Sequence, residues 1–132
     1  MQHIRASNLG RAFIADAGFR LTSNPDTVRA PDFAVVEQDQ QGSLENLKGF
    51  PAIAPNFVVE VLSPSNTGVE INAKVADYLA AGTDLIWVVD PEIRTVTTYH
   101  QGGRAQFLGV DDEIDGGDVL PGFRCPIAEF FR

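Results

Sequence analysis

Two near-continuous apolar runs flank a segment of helical period. Phe57-Val58-Val59-Glu60-Val61-Leu62 and Leu85-Ile86-Trp87-Val88-Val89 are rich in β-branched residues. Runs of this kind mark central strands buried on both faces. Between them Ile71, Val75, Tyr78 and Leu79 recur at three- and four-residue spacing, the apolar stripe of one helix. Thr67 and Glu70 fit a capping box at its start, and Gly82 fits the left-handed residue after its last turn. The strand–helix–strand unit is long enough for a right-handed crossover between parallel strands.

The flanks read differently. Ile4, Leu9, Phe13, Ile14 and Ala17 form a stripe that predicts a helix over residues 2–17, stopped by Gly18. Residues 19–22 predict a short strand, followed by turn chemistry at Ser23-Asn24-Pro25-Asp26. A strand is expected over 27–36, with Pro31 confining it to an edge or a bulge. Residues 38–55 are polar and punctuated by glycine and proline, the composition of a loop. Segments 93–99 and 105–110 predict a hairpin around Gln101-Gly102-Gly103-Arg104. The acidic stretch that follows reads as a solvated loop rather than a calcium loop, because Gly122 stands where a closing glutamate belongs. Pro126 opens a short terminal helix that buries Ile127, Phe130 and Phe131. Together these elements predict an α/β fold, a mixed sheet flanked by helices, forming one domain over residues 1–132.

Composition narrows the class. With 132 residues, 44% of them hydrophobic, the chain can bury one real core. No apolar run approaches the roughly 18 residues of a membrane helix, and the N-terminus lacks a secretory apolar region, so no membrane partner and a cytoplasmic location are expected. Cys125 is the one cysteine, which excludes an internal disulfide or a cysteine-cluster zinc site and reads as a small buried hydrophobe. His3 and His100 have no partner at ligand spacing, and Ser63 and Ser65 have no nearby histidine to activate them. The net charge of −8 runs against phosphate contact over the whole surface. Asp111, Asp112, Glu113, Asp115 and Asp118 supply much of it; the rest of the chain holds 13 acids against 10 bases.

Two carboxylates need a reason. Asp32 follows Pro31 at the head of an apolar stretch, and Glu60 has only apolar neighbours along its strand. A charge in a buried strand is costly unless it is paired or coordinates a metal. Magnesium takes one or two carboxylates and keeps several waters for exchange with substrate. Lys74 lies three residues after Ile71 and four before Tyr78, on or beside the helix's apolar face. Taken singly, Lys74 reads as a snorkelling side chain, Asp32 as a turn aspartate and Glu60 as a sheet-edge residue. Taken together, two carboxylates and an amine suit metal-assisted phosphodiester hydrolysis. Arg29 and Lys48 are candidate phosphate contacts, with solvated surface as the plainer reading of each.

Pro31-Asp32, Val59-Glu60-Val61-Leu62-Ser63-Pro64-Ser65, Lys74 with Tyr78, Ala81-Gly82, Trp87-Val88-Val89-Asp90-Pro91 and Leu120-Pro121-Gly122-Phe123 follow one another in a recognisable order and spacing. In this the chain resembles the Uma-type restriction-endonuclease-like family, a branch of the PD-(D/E)XK nuclease superfamily. The resemblance implies a restriction-endonuclease-like core and DNA cleavage dependent on magnesium or manganese. It also implies that Asp32 and Glu60 hold the metal with the Val61 carbonyl as a further ligand, and that the protein forms a homodimer. The superfamily's plain motif has lysine two residues after the second acid, where this chain has Leu62; Uma-type proteins commonly place a lysine on the following helix, which matches Lys74. Such proteins usually carry a further N-terminal helix and an acidic strand before the segment that begins here near His3, and their absence would leave a bare sheet edge. A catalytically inactive binding or assembly module of the same fold is therefore a second reading, and a small metal-independent structural protein a third.

Overall fold

The computed structural model describes the backbone of residues 10–14, 19–22, 27–29, 32–37 and 54–132, and the side chains of 32–36 and 54–132. A six-stranded sheet organises the molecule. It uses β1 (Gly10–Ile14), β4 (Phe33–Glu37), β5 (Phe57–Val61), β6 (Leu85–Asp90), β7 (Thr95–His100) and β8 (Arg104–Leu108), in the order β1-β4-β5-β6-β7-β8. Only β5 and β6 run parallel, and the helix α1 (Gly68–Ala81) crosses between them. The other neighbours in the sheet pair antiparallel. Two small ribbons stand apart: β2 (Phe19–Thr22) with β3 (Thr27–Arg29), and β9 (Glu113–Gly116) with β10 (Leu120–Pro126).

Helix α1 is delimited by its own sequence. The Thr67 hydroxyl accepts the Glu70 N–H at 3.1 Å, which satisfies one orphan donor of the first turn. At the other end Gly82 adopts φ 106°, open to glycine without steric cost, and its N–H reaches Leu79 O at 3.1 Å. Gln101, from the β7–β8 turn, donates to Leu79 O and Thr83 O, both at 2.8 Å, and ties that helix end to the sheet.

The sheet separates two apolar layers. On one face Ile71, Val75 and Tyr78 of α1 pack on Ala34, Val36, Val58, Ile86 and Val88. On the other face Phe57, Trp87, Val89 and Val96 pack with Leu108, Ile114, Leu120 and Ile127, and Phe130 and Phe131 lie against them. Trp87 sits 4.7 Å from Phe57 and 6.0 Å from Phe130, ring centre to ring centre, so it is core, as its apolar run implies. Cys125 is half-buried, and that burial pushes its thiol up, with Glu129 and Glu113 adding to the effect.

Four sequence expectations are corrected. Residues 10–14 form a strand paired with β4, not part of a helix; residues 2–9 and 15–17 lie outside the described residues. The apolar run Ala12-Phe13-Ile14 suits either period, and the free edge of β4 decides between them. The strand expected over 27–36 is divided into β3 and β4 around the Pro31-Asp32 step, and Asp32 stands at an exposed bend rather than inside a strand. The acidic stretch contains β9, where Glu113 and Asp115 face solvent while Ile114 is buried at 1% exposure. Ile114, with Leu120 of β10, anchors this hairpin on the core. The terminal helix is a single 3-10 segment, Ile127–Phe131, in which Ile127 is fully buried and Phe130 and Phe131 are half-buried.

Candidate active site

The antiparallel register of β4 and β5 pairs Phe33 with Val59 and Ala34 with Val58. One further step sets Asp32 beside Glu60. Side chains alternate across a strand, so Glu60 projects to the side of Val58, the face that α1 covers. Glu60 on β5 and Asp32 at the bend before β4 thus stand at the same end of the sheet.

Glu60 is only 5% exposed. Each of its oxygens has a partner on α1. Tyr78 donates its hydroxyl to Oε1 at 3.2 Å, and Lys74 Nζ lies 3.7 Å from Oε2. Residues 74 and 78 are one helical turn apart, so both side chains descend from the same stripe onto the same carboxylate. Burial raises the Glu60 pKa above its ordinary value of 4.5, and the negative charge of Asp32 adds to that rise; Lys74 and Tyr78 oppose it. Asp32, exposed at its bend, accepts the Val61 N–H on Oδ2 at 2.6 Å. The Val61 amide lies just past the last β4–β5 pair, where the Asp32 side chain serves as its acceptor. Neighbouring Leu62 instead donates its N–H to Val89 O on β6, at 2.8 Å.

The donor chemistry fits a hard divalent cation. Two carboxylates and a strand carbonyl at Val61 are oxygen ligands, and two carboxylates with room for water is the magnesium pattern. Among the described residues no group of three or more histidine, cysteine, aspartate or glutamate side chains comes together. Lys74, with its side chain 30% exposed, is close enough to Glu60 to add positive charge at the same point.

Sequence reasoning named Asp32, Glu60 and Lys74, and these three meet. It named Tyr78 without assigning it a role; the signal was the four-residue spacing from Lys74, masked by the tyrosine's place in an apolar stripe. The two phosphate-contact candidates are not among the described side chains. Arg29 ends β3 and its side chain is outside the described residues, as is all of Lys48.

A mixed sheet with one parallel crossover, carrying two acids and a lysine at the carboxyl end of its parallel pair, defines a nuclease-like α/β fold. The chain belongs to the Uma2 family, whose model, described as "Putative restriction endonuclease", matches residues 1–128. Among solved structures, a putative nuclease of DUF820 from Anabaena variabilis has a similar fold, with a TM-score of 0.84 at 21% identity, over 98% of this chain and 72% of that one. No curated protein matches the sequence.

Proposed function

We propose that this protein is a metal-dependent endonuclease that hydrolyses DNA phosphodiester bonds. The observation that carries the reading is the meeting of Asp32, Glu60 and Lys74 at one end of the sheet, with Lys74 Nζ 3.7 Å from a buried Glu60 oxygen. Membership of a restriction-endonuclease family supports the same reading.

Asp32 and Glu60, with the Val61 carbonyl, would hold magnesium or manganese. The bound cation supplies a Lewis acid that lowers the pKa of water and neutralises phosphoryl charge. Lys74 places its ammonium beside the cation site, where it steadies negative charge developing on the phosphate and orients the attacking water. Tyr78 holds Glu60 Oε1 and so restricts the rotation of the carboxylate. Asp32 is held by the Val61 N–H, which fixes the spacing between the two acids. Arg29 and Lys48 belong to the proposal as phosphate contacts.

The proposal treats residues 1–132 as one nuclease-like domain working in the cytoplasm. Among the described residues no helix is long and apolar enough to cross a membrane. A homodimer is part of the same reading, because β1 and β8 end the described sheet and Phe107 on β8 is 66% exposed.

The test is thermal unfolding with added magnesium or manganese. The wild type should gain stability with the cation and Glu60→Ala should lose that gain. Cation binding without cleavage of any DNA would favour the inactive binding module; no cation response would remove the metal site itself.

A further inference from the structure

Outside the carboxyl ends of β5 and β6 lies a cleft of about 480 Å³, bounded by the loop that enters α1 and the turn that leaves β6. Crevices at the carboxyl ends of neighbouring parallel strands are where α/β sheets take their ligands. The parallel register pairs Val61 with Val89, and one step further it sets Leu62 beside Asp90, both of which line the cleft. The cleft therefore begins one strand step, about 3.3 Å, from Val61. By alternation from Val88, Asp90 projects to the α1 side of the sheet, as Glu60 does.

The polar groups around this cleft have unused capacity. Asn66 Oδ1 accepts from Ser63 N at 2.8 Å and from Ser63 Oγ at 3.2 Å, which fixes the amide orientation and leaves both Nδ2 hydrogens for another acceptor. Asp90 Oδ1 accepts the Glu92 N–H at 3.0 Å, leaving Oδ2 to accept from elsewhere. The Glu92 carboxylate adds a second acceptor, and Pro64, Pro91 and Leu62 provide apolar surface. Among the described residues no lysine or arginine lines the cleft, so two carboxylates would repel a phosphate placed inside it. A flat neutral ring with an amine donor beside a ring acceptor suits Asp90, Asn66 and the apolar surface together. The amine donates to Asp90, the ring nitrogen or carbonyl accepts from Asn66, and the ring faces lie on proline and leucine.

We propose that this cleft is a nucleobase subsite, which takes an unpaired or extruded base bearing an exocyclic amine from the nucleotide next to the scissile phosphate. The inference rests on the nuclease reading for the position of that phosphate. Extruding a base requires a pocket to receive it, and a single strand presents one without that cost.

The test measures binding of short labelled single strands by fluorescence anisotropy in calcium: oligo(dC), oligo(dT) and an abasic strand of equal length. The wild type should bind oligo(dC) about tenfold more tightly than oligo(dT) or the abasic strand, the scale of one good base contact. Asp90→Asn keeps an oxygen for the Glu92 N–H but replaces the free acceptor with a donor, and should erase the preference for dC over dT. Asn66→Ala should weaken oligo(dC) and leave oligo(dT) and the abasic strand unchanged. Equal binding of the abasic strand, a ratio unmoved in Asp90→Asn, or no binding of any strand would overturn the subsite. Base preference without cleavage would remove the nuclease reading and keep the subsite; cleavage without base preference would do the reverse.

Discussion

Asp32 and Val61 are joined across the open end of the β4–β5 ladder, Oδ2 accepting the Val61 N–H at 2.6 Å. The side chain extends the hydrogen bonding of β5 past the last β4–β5 pair, from the bend at Asp32. Asp32→Ala should cost about 1 kcal/mol of stability in urea unfolding, the scale of one hydrogen bond at an exposed site. Asp32→Asn keeps a carbonyl acceptor and should recover most of that loss. Both should bind magnesium more weakly than the wild type, because neither supplies an anionic ligand. Equal stability of the alanine and wild-type proteins would mean that the bond does not hold the strand end.

Glu60 gives a pH dependence of defined sign. Burial raises its pKa above 4.5, so the folded state holds this proton more tightly than the unfolded chain does. Its contribution to stability is fully present below pH 4.5 and is lost as pH rises through the raised folded value. Glu60→Gln does not ionise, so wild-type stability minus that of Glu60→Gln should fall over this window in cation-free buffer. Added magnesium favours the carboxylate form, and the stabilisation it gives should therefore grow as pH rises through the same window. Thermal unfolding across pH, with and without magnesium, measures both trends; a difference that rises with pH in cation-free buffer would contradict the assignment.

Tyr78 is fully buried and donates to Glu60 Oε1. Tyr78→Phe keeps the ring and removes that donor. It should destabilise the protein by about 2 kcal/mol at pH values where Glu60 is ionised, the scale of a hydrogen bond to a charged group. The deficit should shrink in acid, where Glu60 is protonated. A deficit of the same size on both sides of the Glu60 titration would assign the loss to packing instead of to the carboxylate.

On the opposite face, Trp87 and Thr98 are register partners on β6 and β7, and both Trp87 Nε1 and Thr98 Oγ1 are buried without a hydrogen-bond partner among the described residues. Thr98→Val replaces an unsatisfied hydroxyl with a methyl of similar shape. It should stabilise the protein by about 1 kcal/mol, read as a rise in urea midpoint. Destabilisation by a similar amount would show that the hydroxyl has a partner in solution.

The central unit was legible from pattern alone. The apolar runs at 57–62 and 85–89 became β5 and β6, and the Ile71, Val75, Tyr78 stripe became the buried face of α1. These segments have long, unambiguous periods and self-contained caps. Ala12-Phe13-Ile14 failed because three consecutive apolar residues carry no period, and pairing to a distant strand set their conformation. Ile114 failed because one apolar residue among acids gives little local signal, although the core behind it is well formed. At the site, residue type and setting marked Asp32, Glu60 and Lys74. The Val61 amide and the Tyr78 hydroxyl were hidden, the first because a backbone group has no sequence signature and the second because its ring belongs to the core. The cleft beside Asp90 and Asn66 was hidden too, since it depends on two loops that meet only through the parallel register of β5 and β6.

Supercoiled-plasmid nicking in manganese tests the three-residue site most directly. The wild type should convert supercoiled plasmid to open circles, and Asp32→Ala, Glu60→Gln and Lys74→Ala should each lose that activity while remaining folded by circular dichroism. Nicking by the wild type that persists in any of these three variants would contradict the assignment of that residue. A wild type that leaves plasmid and oligonucleotides intact at saturating manganese would contradict the nuclease reading as a whole.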